Sequence, residues 1–140
     1  MGINASQCDE SPTCSAVTLH LGVLLPVSGD WPEGRTFIGA VQVALQDIRE
    51  AGILGSQTLE ALWEDDGCSP VKSSRGLSQL ISVVEQKRGK LAGLIGPACS
   101  AGCETAGFMA GELNLIDISY SCASATLVDE VKFPTVRPHP

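Results

Sequence analysis

The sequence predicts an α/β fold in which a parallel sheet carries helices on both of its faces. Short apolar runs typical of buried strands alternate with segments of ten or more residues whose apolar positions recur at helical spacing. A chain of 140 residues with 44% hydrophobic and 18% charged residues has the composition of one globular domain. Strands that alternate with helices in this way imply right-handed crossovers, and therefore a parallel sheet.

The first part of the chain supplies two strands and one helix. Residues 1–16 are polar and aperiodic, so we predict a flexible leader outside the core. Val17–Pro26 is almost continuously apolar, as a strand buried on both faces should be. A Gly/Pro-rich loop then leads into a helix from about Arg35 to Ala51, and Thr58–Glu64 is the second predicted strand. The helix has apolar residues at helical spacing, namely Ile38, Val41, Leu45 and Ile48.

The remaining elements continue the same alternation. A second helix follows Pro70 and ends near Gly89, and Leu91–Ile95 is the third strand. Ser100–Glu112 is predicted as the third helix, and Leu115–Ser119 as a short fourth strand. The order of the predicted elements over residues 17–140 is therefore βαβαβαβ. The second helix has apolar positions that lie mostly on one stripe, namely Val71, Leu77, Leu80, Ile81 and Val84. The predicted inner side of the third helix carries Phe108, Met109 and Leu113.

Charge and cysteine content exclude several classes of function. The net charge of −7, from 9 Lys plus Arg against 16 Asp plus Glu, argues against a nucleic-acid partner. Six cysteines without a Cys-x-x-Cys pair favour disulfides in an oxidising compartment over a metal site. Asn4 begins a glycosylation sequon, which adds weak support. Because the sequence has neither a signal peptide nor a membrane-spanning run, we expect those segments to lie outside it.

Motifs for catalysis and for nucleotide binding are missing from the sequence. It has no Gly-x-Gly-x-x-Gly, no phosphate-binding Gly-x-x-x-x-Gly-Lys-Ser/Thr and no Gly-x-Ser-x-Gly elbow. The Asp65–Asp66 pair follows the second strand, and we interpret it as a solvated turn. We therefore expect neither enzymatic activity nor a cofactor.

The loops after the strands are the candidate binding site, because parallel sheets bind ligands beyond the carboxyl ends of their strands. Ser100 begins the third helix, where it either favours an anion such as a carboxylate or acts as a plain N-cap. Trp31 either covers an apolar ligand stem or wedges its loop against the sheet. The candidate ligand-binding residues in these loops are Trp31, Cys99, Ser100, Ser121, Cys122, Ala123 and Ser124.

Four stretches carry a resemblance to a known family. They are LGVLLPVSGDWPEG (21–34), IGPACS (95–100), NLIDISY (114–120) and FPTVRPHP (133–140). The sequence resembles lobe one of the ligand-binding region shared by metabotropic GABA receptors, other class C receptors and natriuretic-peptide-type guanylate cyclase receptors. The resemblance implies a type I periplasmic-binding-protein fold, and the SGDWPEG stretch resembles the metabotropic GABA receptor branch in particular.

The resemblance also implies roles for individual residues. Trp31 matches a tryptophan that lies against the ligand, Ser100 a serine that hydrogen-bonds the ligand carboxylate, and His139 a histidine near the ligand amine. The second carboxylate-binding serine of the family is replaced by Ala123, with Ser124 beside it. Losing a charge-assisted hydrogen bond costs about 1.5–3 kcal/mol. The resemblance therefore implies a subunit that binds an amino acid other than GABA, or none.

The cysteines match two branches of the family. Cys68 and Cys99 fall at the disulfide of lobe one. Cys103 and Cys122 resemble extra cysteines of some guanylate cyclase receptor ectodomains. In this sequence they would form either a bridge that ties the third helix to the next loop or two separate buried thiols. The pairing of the remaining cysteines, Cys8 and Cys14, stays open.

The expected function is the extracellular ligand-binding region of a class C receptor at the cell membrane. An amino-acid-like ligand would bind in the cleft between two lobes, and the receptor would dimerise through lobe one. The alternatives are a guanylate cyclase receptor ectodomain that binds a peptide, and a soluble binding protein or decoy. The resemblance makes residues 17–140 the N-terminal portion of the receptor's ligand-binding domain. Because the sequence stops within the Arg-Pro-His-Pro loop, before lobe one is complete, we expect a fragment or an incomplete gene model.

Overall fold

A computed structural model describes residues 17–138. Strands and helices alternate along these residues, and a short 3-10 helix precedes the last strand. Their bounds are β1 (Thr18–Leu25), α1 (Gly34–Glu50), β2 (Thr58–Asp65), α2 (Pro70–Gln86), β3 (Leu91–Ile95), α3 (Ser100–Glu112), β4 (Asp117–Ser119), the 3-10 helix (Ala125–Val128) and β5 (Val136–Pro138).

The strands form one parallel sheet in the order β2-β1-β3-β4-β5. The predicted fold class is therefore confirmed. Strand β1 lies between β2 and β3, and its register with β2 runs from Thr18 opposite Thr58 to Leu25 opposite Asp65. No strand was predicted at β5, which is only three residues long and ends in a proline. Pairing with β4 makes it a strand.

The two faces of the sheet are packed by different helices. The side chain of Leu24 in β1 packs with buried residues of α2 and α3. The neighbouring Val23 and Leu25 line cavities against α1, on the opposite face. This follows from the alternation of side chains along a strand. The core on the α2–α3 face contains Leu24, Leu77, Leu80, Leu94, Ala106, Ala110 and Leu115.

The face under α1 is covered less completely. Only Gly34 among the residues of α1 is fully buried, and an open groove of about 650 Å³ runs between the helix and the sheet. On the same side of β4 and of the segment before it, the side chains of Ile118 and Ile116 are 46% and 56% exposed. The described residues therefore cover one face of the sheet fully and the other in part.

Helix α3 packs through small residues rather than large ones. Its buried positions are Gly102, Cys103, Ala106, Gly107 and Ala110. The prediction that Phe108 and Leu113 face inward is wrong, since their side chains are 48% and 51% exposed. The ring of Phe108 instead lies along the flank of the helix, 4.9 Å from the ring of Phe133. Small inward residues let the helix backbone approach the sheet closely.

Alanine substitutions at Gly107 and Gly39 should change the free energy of unfolding in opposite directions, because only Gly107 lies in a close contact. A Cβ atom at Gly107 would lie 2.7 Å from Cγ2 of Val136, whereas one at Gly39 on α1 would meet nothing within 4 Å. We expect Gly107→Ala to lower the free energy of unfolding by about 1–3 kcal/mol through overpacking. Gly39→Ala should raise it by about 0.5–1 kcal/mol, because alanine loses less backbone entropy on folding. Urea unfolding measures both, and destabilisation of similar size in the two variants would contradict this packing.

Candidate ligand-binding site

The loops that follow β1, β2, β3 and β4 meet at the carboxyl edge of the sheet. This is a direct result of the parallel order, since every strand ends at the same edge. The loop after β3 passes close to β1 at Gly96, which has a φ of +84°. A Cβ atom there would collide with the carbonyl oxygen of Leu24, so only glycine fits.

Asp65 joins the loop after β1 to the loop after β2. Its carboxylate accepts hydrogen bonds from the amides of Val27, Ser28 and Gly67 and from the Ser28 hydroxyl, at 2.5–3.0 Å. The Lys72 ammonium lies 3.6 Å from the same carboxylate. Burial raises the pKa of Asp65, but these hydrogen bonds outweigh it and lower the pKa to about 2. The charge of Asp65 is therefore used to hold the loops together.

Asp66 is fully buried, so its interpretation as part of a solvated turn is wrong. One carboxylate oxygen accepts a hydrogen bond from the Cys68 amide at 2.8 Å, and the other has no partner. Burial raises the pKa of Asp66; the Cys68 hydrogen bond opposes this shift, and the nearby Asp65 charge adds to it. Asp66 thus orders the turn that leads to Cys68.

A disulfide connects the loops after β2 and β3. It joins Cys68 to Cys99, with 5.2 Å between their Cα atoms. Cys99 is also the N-cap residue of α3, and no side chain caps this helix. The plain N-cap alternative for Ser100 is therefore wrong. Ser100 is instead the first residue of α3, half-buried beside the disulfide, at the positive end of the helix dipole.

Three aromatic side chains form a row along the edge, which we call the aromatic row: Trp31, Phe37 and Tyr120. The rings of Trp31 and Phe37 have centroids 6.4 Å apart, and those of Phe37 and Tyr120 are 5.2 Å apart in an edge-to-face arrangement. Burial and the nearby Asp66 charge raise the pKa of Tyr120, which keeps its hydroxyl neutral. Trp31 remains 37% exposed, so it packs on one side and is open to solvent on the other.

The β4 loop, residues 120–124, brings the other candidates to the same edge. Ser121 and Ala123 are exposed. Cys122 is bonded to Cys103 of α3, with 6.5 Å between their Cα atoms. The hydroxyl of Ser124 is hydrogen-bonded to Glu104, at 2.5 Å. Ser121 is thus the exposed hydroxyl that the β4 loop presents beside the aromatic row.

The groove under α1 opens at this edge. Its mouth is formed by Trp31, Phe37, Tyr120 and Ser121, and its deeper walls are aliphatic. The structure thus brings Trp31, Ser121 and the aromatic row together, and it places Ser100 at the same edge on the first turn of α3. Phe37 belongs to this site although no sequence pattern pointed to it. The predictions for Asn4, Cys8, Cys14 and His139 fall outside the described residues.

Neither a metal site nor a membrane-spanning helix is found among the described residues. Within residues 17–138, no group of His, Cys, Asp or Glu side chains has the arrangement of a metal site. None of the helices in this range has the length and hydrophobicity needed to cross a membrane.

Structural comparison places the fold among periplasmic binding proteins. The LivJ substrate-binding protein from Streptococcus pneumoniae, solved with isoleucine, superposes with a TM-score of 0.70 at 20% identity. The superposition covers 86% of this chain and 33% of the LivJ chain. The leucine-binding protein LivK from Thermotoga maritima gives a TM-score of 0.69 at 16% identity, covering 86% and 32%. At these identities the likeness concerns the fold.

Sequence comparison identifies the family. Subunit 1 of the mouse gamma-aminobutyric acid type B receptor is 30% identical over 136 residues, which is 96% of this chain. The Caenorhabditis elegans subunit 1 is 31% identical over 129 residues, or 89% of the chain. The chain spans 14% of the length of each of these relatives. The family profile described as "Receptor family ligand binding region" matches residues 38–140. The resemblance seen in the sequence is thus confirmed, and the chain belongs to the receptor ligand-binding region family.

Proposed function

We propose that residues 17–140 form part of the first lobe of a class C receptor ligand-binding region that resembles the metabotropic GABA receptor. In this proposal the carboxyl edge of the sheet is one wall of a cleft for an amino-acid-like ligand. The observation that carries the proposal is the position of Ser100. Its hydroxyl is not used as a cap, and it starts a helix at the edge that also bears the aromatic row.

The chemistry of this edge suits a ligand with a carboxylate and an apolar stem. The amides of the first turn of α3 and the Ser100 hydroxyl are donors for a carboxylate, and the helix dipole favours its charge. Trp31 and Phe37 offer ring surface to methylene groups. Asp65 is already engaged by four hydrogen bonds and Lys72, so its charge is offset.

Ala123 sets this site apart from a GABA site. Its side chain is exposed in the β4 loop but has no hydroxyl to donate. A ligand carboxylate at Ser100 then lacks the hydroxyl donor that the family resemblance places at the position of Ala123. We therefore expect GABA to bind weakly, and an amino acid that gains more from apolar contact to bind better.

The whole-receptor part of the proposal follows from the family. The first lobe would bind ligand, and a second lobe would close over it, so that ligand shifts the population toward the closed state. The receptor would sit in the cell membrane with this region outside, and would pair with another subunit through lobe one. Residues 1–16, including Asn4, would precede the lobe as a leader.

Replacing Ser100 tests the site directly. Ser100→Ala removes one charge-assisted hydrogen bond, about 1.5–3 kcal/mol, so we expect a loss of affinity of roughly 10-fold to 150-fold. Ligand-observed NMR titration with L-isoleucine and γ-aminobutyrate measures the affinity of each. Ser82→Ala, at an exposed position of α2, is the matched control and should bind like the unmodified chain. Equal affinities for the Ser100→Ala and Ser82→Ala variants would contradict the proposed role of Ser100.

One observation favours a second candidate, a guanylate cyclase receptor ectodomain. The pairing of Cys103 with Cys122 matches the extra cysteines that the sequence shares with some of those receptors. Such a receptor would bind a peptide at a dimer surface rather than in the cleft. Under this function, neither amino acid would bind, and Ser100→Ala would leave peptide binding unchanged.

A further inference from the structure

Two neighbouring residues of α3 hold the β4 loop and the turn that follows it. Cys103 is bonded to Cys122, as described above. The next residue, Glu104, accepts two hydrogen bonds on one carboxylate oxygen, from the hydroxyl of Ser124 at 2.5 Å and from that of Thr126 at 2.6 Å. Ala123 lies between the two attachment points.

The residues that Glu104 contacts also begin the 3-10 helix that follows the β4 loop. Ser124 is the N-cap of the 3-10 helix, and its oxygen accepts a hydrogen bond from the Thr126 amide at 3.3 Å. The Leu127 amide donates to the Ser124 carbonyl at 3.2 Å, and the Leu127 side chain is buried beside Cys103 and Phe133. The Glu104 carboxylate, together with the buried Leu127 side chain, thus holds the segment beyond Cys122.

Glu104 holds the β4 loop from the same face of α3 that carries Ser100. The two residues are four apart on α3, so they lie on the same face of the helix, one turn from each other. The face that presents Ser100 to the cleft therefore also carries the β4 loop. A movement of this loop would change the distance between Ser100 and the exposed Ser121 and Ala123.

We propose that Glu104 is a positioning residue that fixes the β4 loop relative to Ser100 and thereby sets the affinity of the cleft for its ligand. This inference rests on the proposed function for its link to affinity, but the loop contact stands by itself. The hydrogen bonds from Ser124 and Thr126 lower the pKa of Glu104, so the carboxylate keeps its charge over the neutral pH range. A charged acceptor makes these hydrogen bonds stronger than neutral ones.

Hydrogen exchange and ligand affinity, measured on the same variants, test the proposal. In Glu104→Ala we expect the amides of Thr126 and Leu127 to exchange about tenfold faster, while amides in the middle of α3 keep their rates. The affinity for L-isoleucine should fall about fivefold or more, because the loop loses its fixed position. Glu104→Gln retains an oxygen acceptor of the same shape and should restore both quantities in part. Glu112→Ala, at an exposed position of the same helix, should change neither.

The outcomes separate the loop contact from the proposed function. Unchanged exchange at Thr126 and Leu127 in Glu104→Ala would overturn the proposal. Faster exchange with unchanged affinity for L-isoleucine would also overturn it, since the loop would then not set affinity. If the unmodified chain binds neither L-isoleucine nor γ-aminobutyrate, the proposed function fails, and the exchange rates still decide whether Glu104 fixes the loop.

Discussion

Replacing Asp117 with asparagine is expected to stabilise the chain at neutral pH by an amount on the order of 4 kcal/mol. Asp117 lies in β4 with no exposed surface, and neither of its carboxylate oxygens has a hydrogen-bond partner. Burial raises the pKa of Asp117 from 3.8 to about 8, with no charged group among the causes. Each pKa unit corresponds to 1.36 kcal/mol, so the folded chain pays several kcal/mol for this carboxyl at neutral pH.

The sign of the effect follows from the raised pKa. Well below pH 3.8, the carboxyl is protonated in both the folded and the unfolded chain and contributes no pH dependence. Between pH 4 and pH 8, the unfolded chain releases the proton while the folded chain retains it, so stability falls as pH rises. Asparagine is uncharged at every pH. The advantage of Asp117→Asn should therefore be only about 1 kcal/mol at pH 4.5 and grow steadily toward pH 8.

Urea unfolding at several pH values between 4.5 and 8 measures this difference. Asp47→Asn is the matched control, because Asp47 is an exposed carboxylate on α1, and its substitution should shift stability little at any pH. Comparing variant with unmodified chain cancels the contribution of Asp66, which is present in both. A difference between Asp117→Asn and the unmodified chain that stays constant with pH would contradict an unpaired, buried carboxyl.

Removing the disulfide between Cys68 and Cys99 is the second large effect that we expect. The bond closes a segment with a sequence separation of 31 residues. The bond lowers the conformational entropy of the unfolded chain, which stabilises the folded chain by about 3–4 kcal/mol for a loop of this length. Typical domains are stable by only about 5–15 kcal/mol, so the Cys68→Ala, Cys99→Ala double variant should be marginally folded.

Thermal and urea unfolding of the double variant check this expectation. The Cys103→Ala, Cys122→Ala variant is the comparison, since its bond closes a shorter segment with a separation of 19 residues. We expect a slightly smaller loss there, because closure entropy rises slowly with loop length. An unfolding free energy for the Cys68→Ala, Cys99→Ala variant equal to that of the unmodified chain would rule out a structural role for the bond.

Much of the fold follows from apolar patterning. Strand β3 was predicted at its observed bounds, and α3 was predicted over Ser100–Glu112, as found. Buried parallel strands read as apolar runs, and such runs are local signals. Strand β5 was missed because three residues ending in proline carry no strand pattern, and only pairing with β4 makes them a strand. The inner face of α3 was assigned wrongly because helical periodicity of large residues does not detect packing through glycine and alanine.

The site was predictable only in part for a similar reason. Trp31 and Ser100 were predicted because they lie in loops that follow predicted strands, and the resemblance added a role for each. Phe37 and Glu104 belong to the same edge through tertiary contacts that no spacing in the sequence encodes. The burial of Asp117 was also hidden, since a lone acidic residue in a short strand is usually exposed.

Residue-resolved NMR mapping of an amino-acid titration tests the central claim most directly. Under the proposed function, this chain offers one wall of a cleft, so binding of L-isoleucine is expected at millimolar concentrations. We predict that the largest chemical-shift changes occur at the backbone amides of Ser100 and Ser121 and at the indole N–H of Trp31. The changes should be small at the opposite end of the sheet, near Thr58. Shifts confined to other parts of the surface, or no shifts in a folded, oxidised chain, would contradict a ligand site at the carboxyl edge.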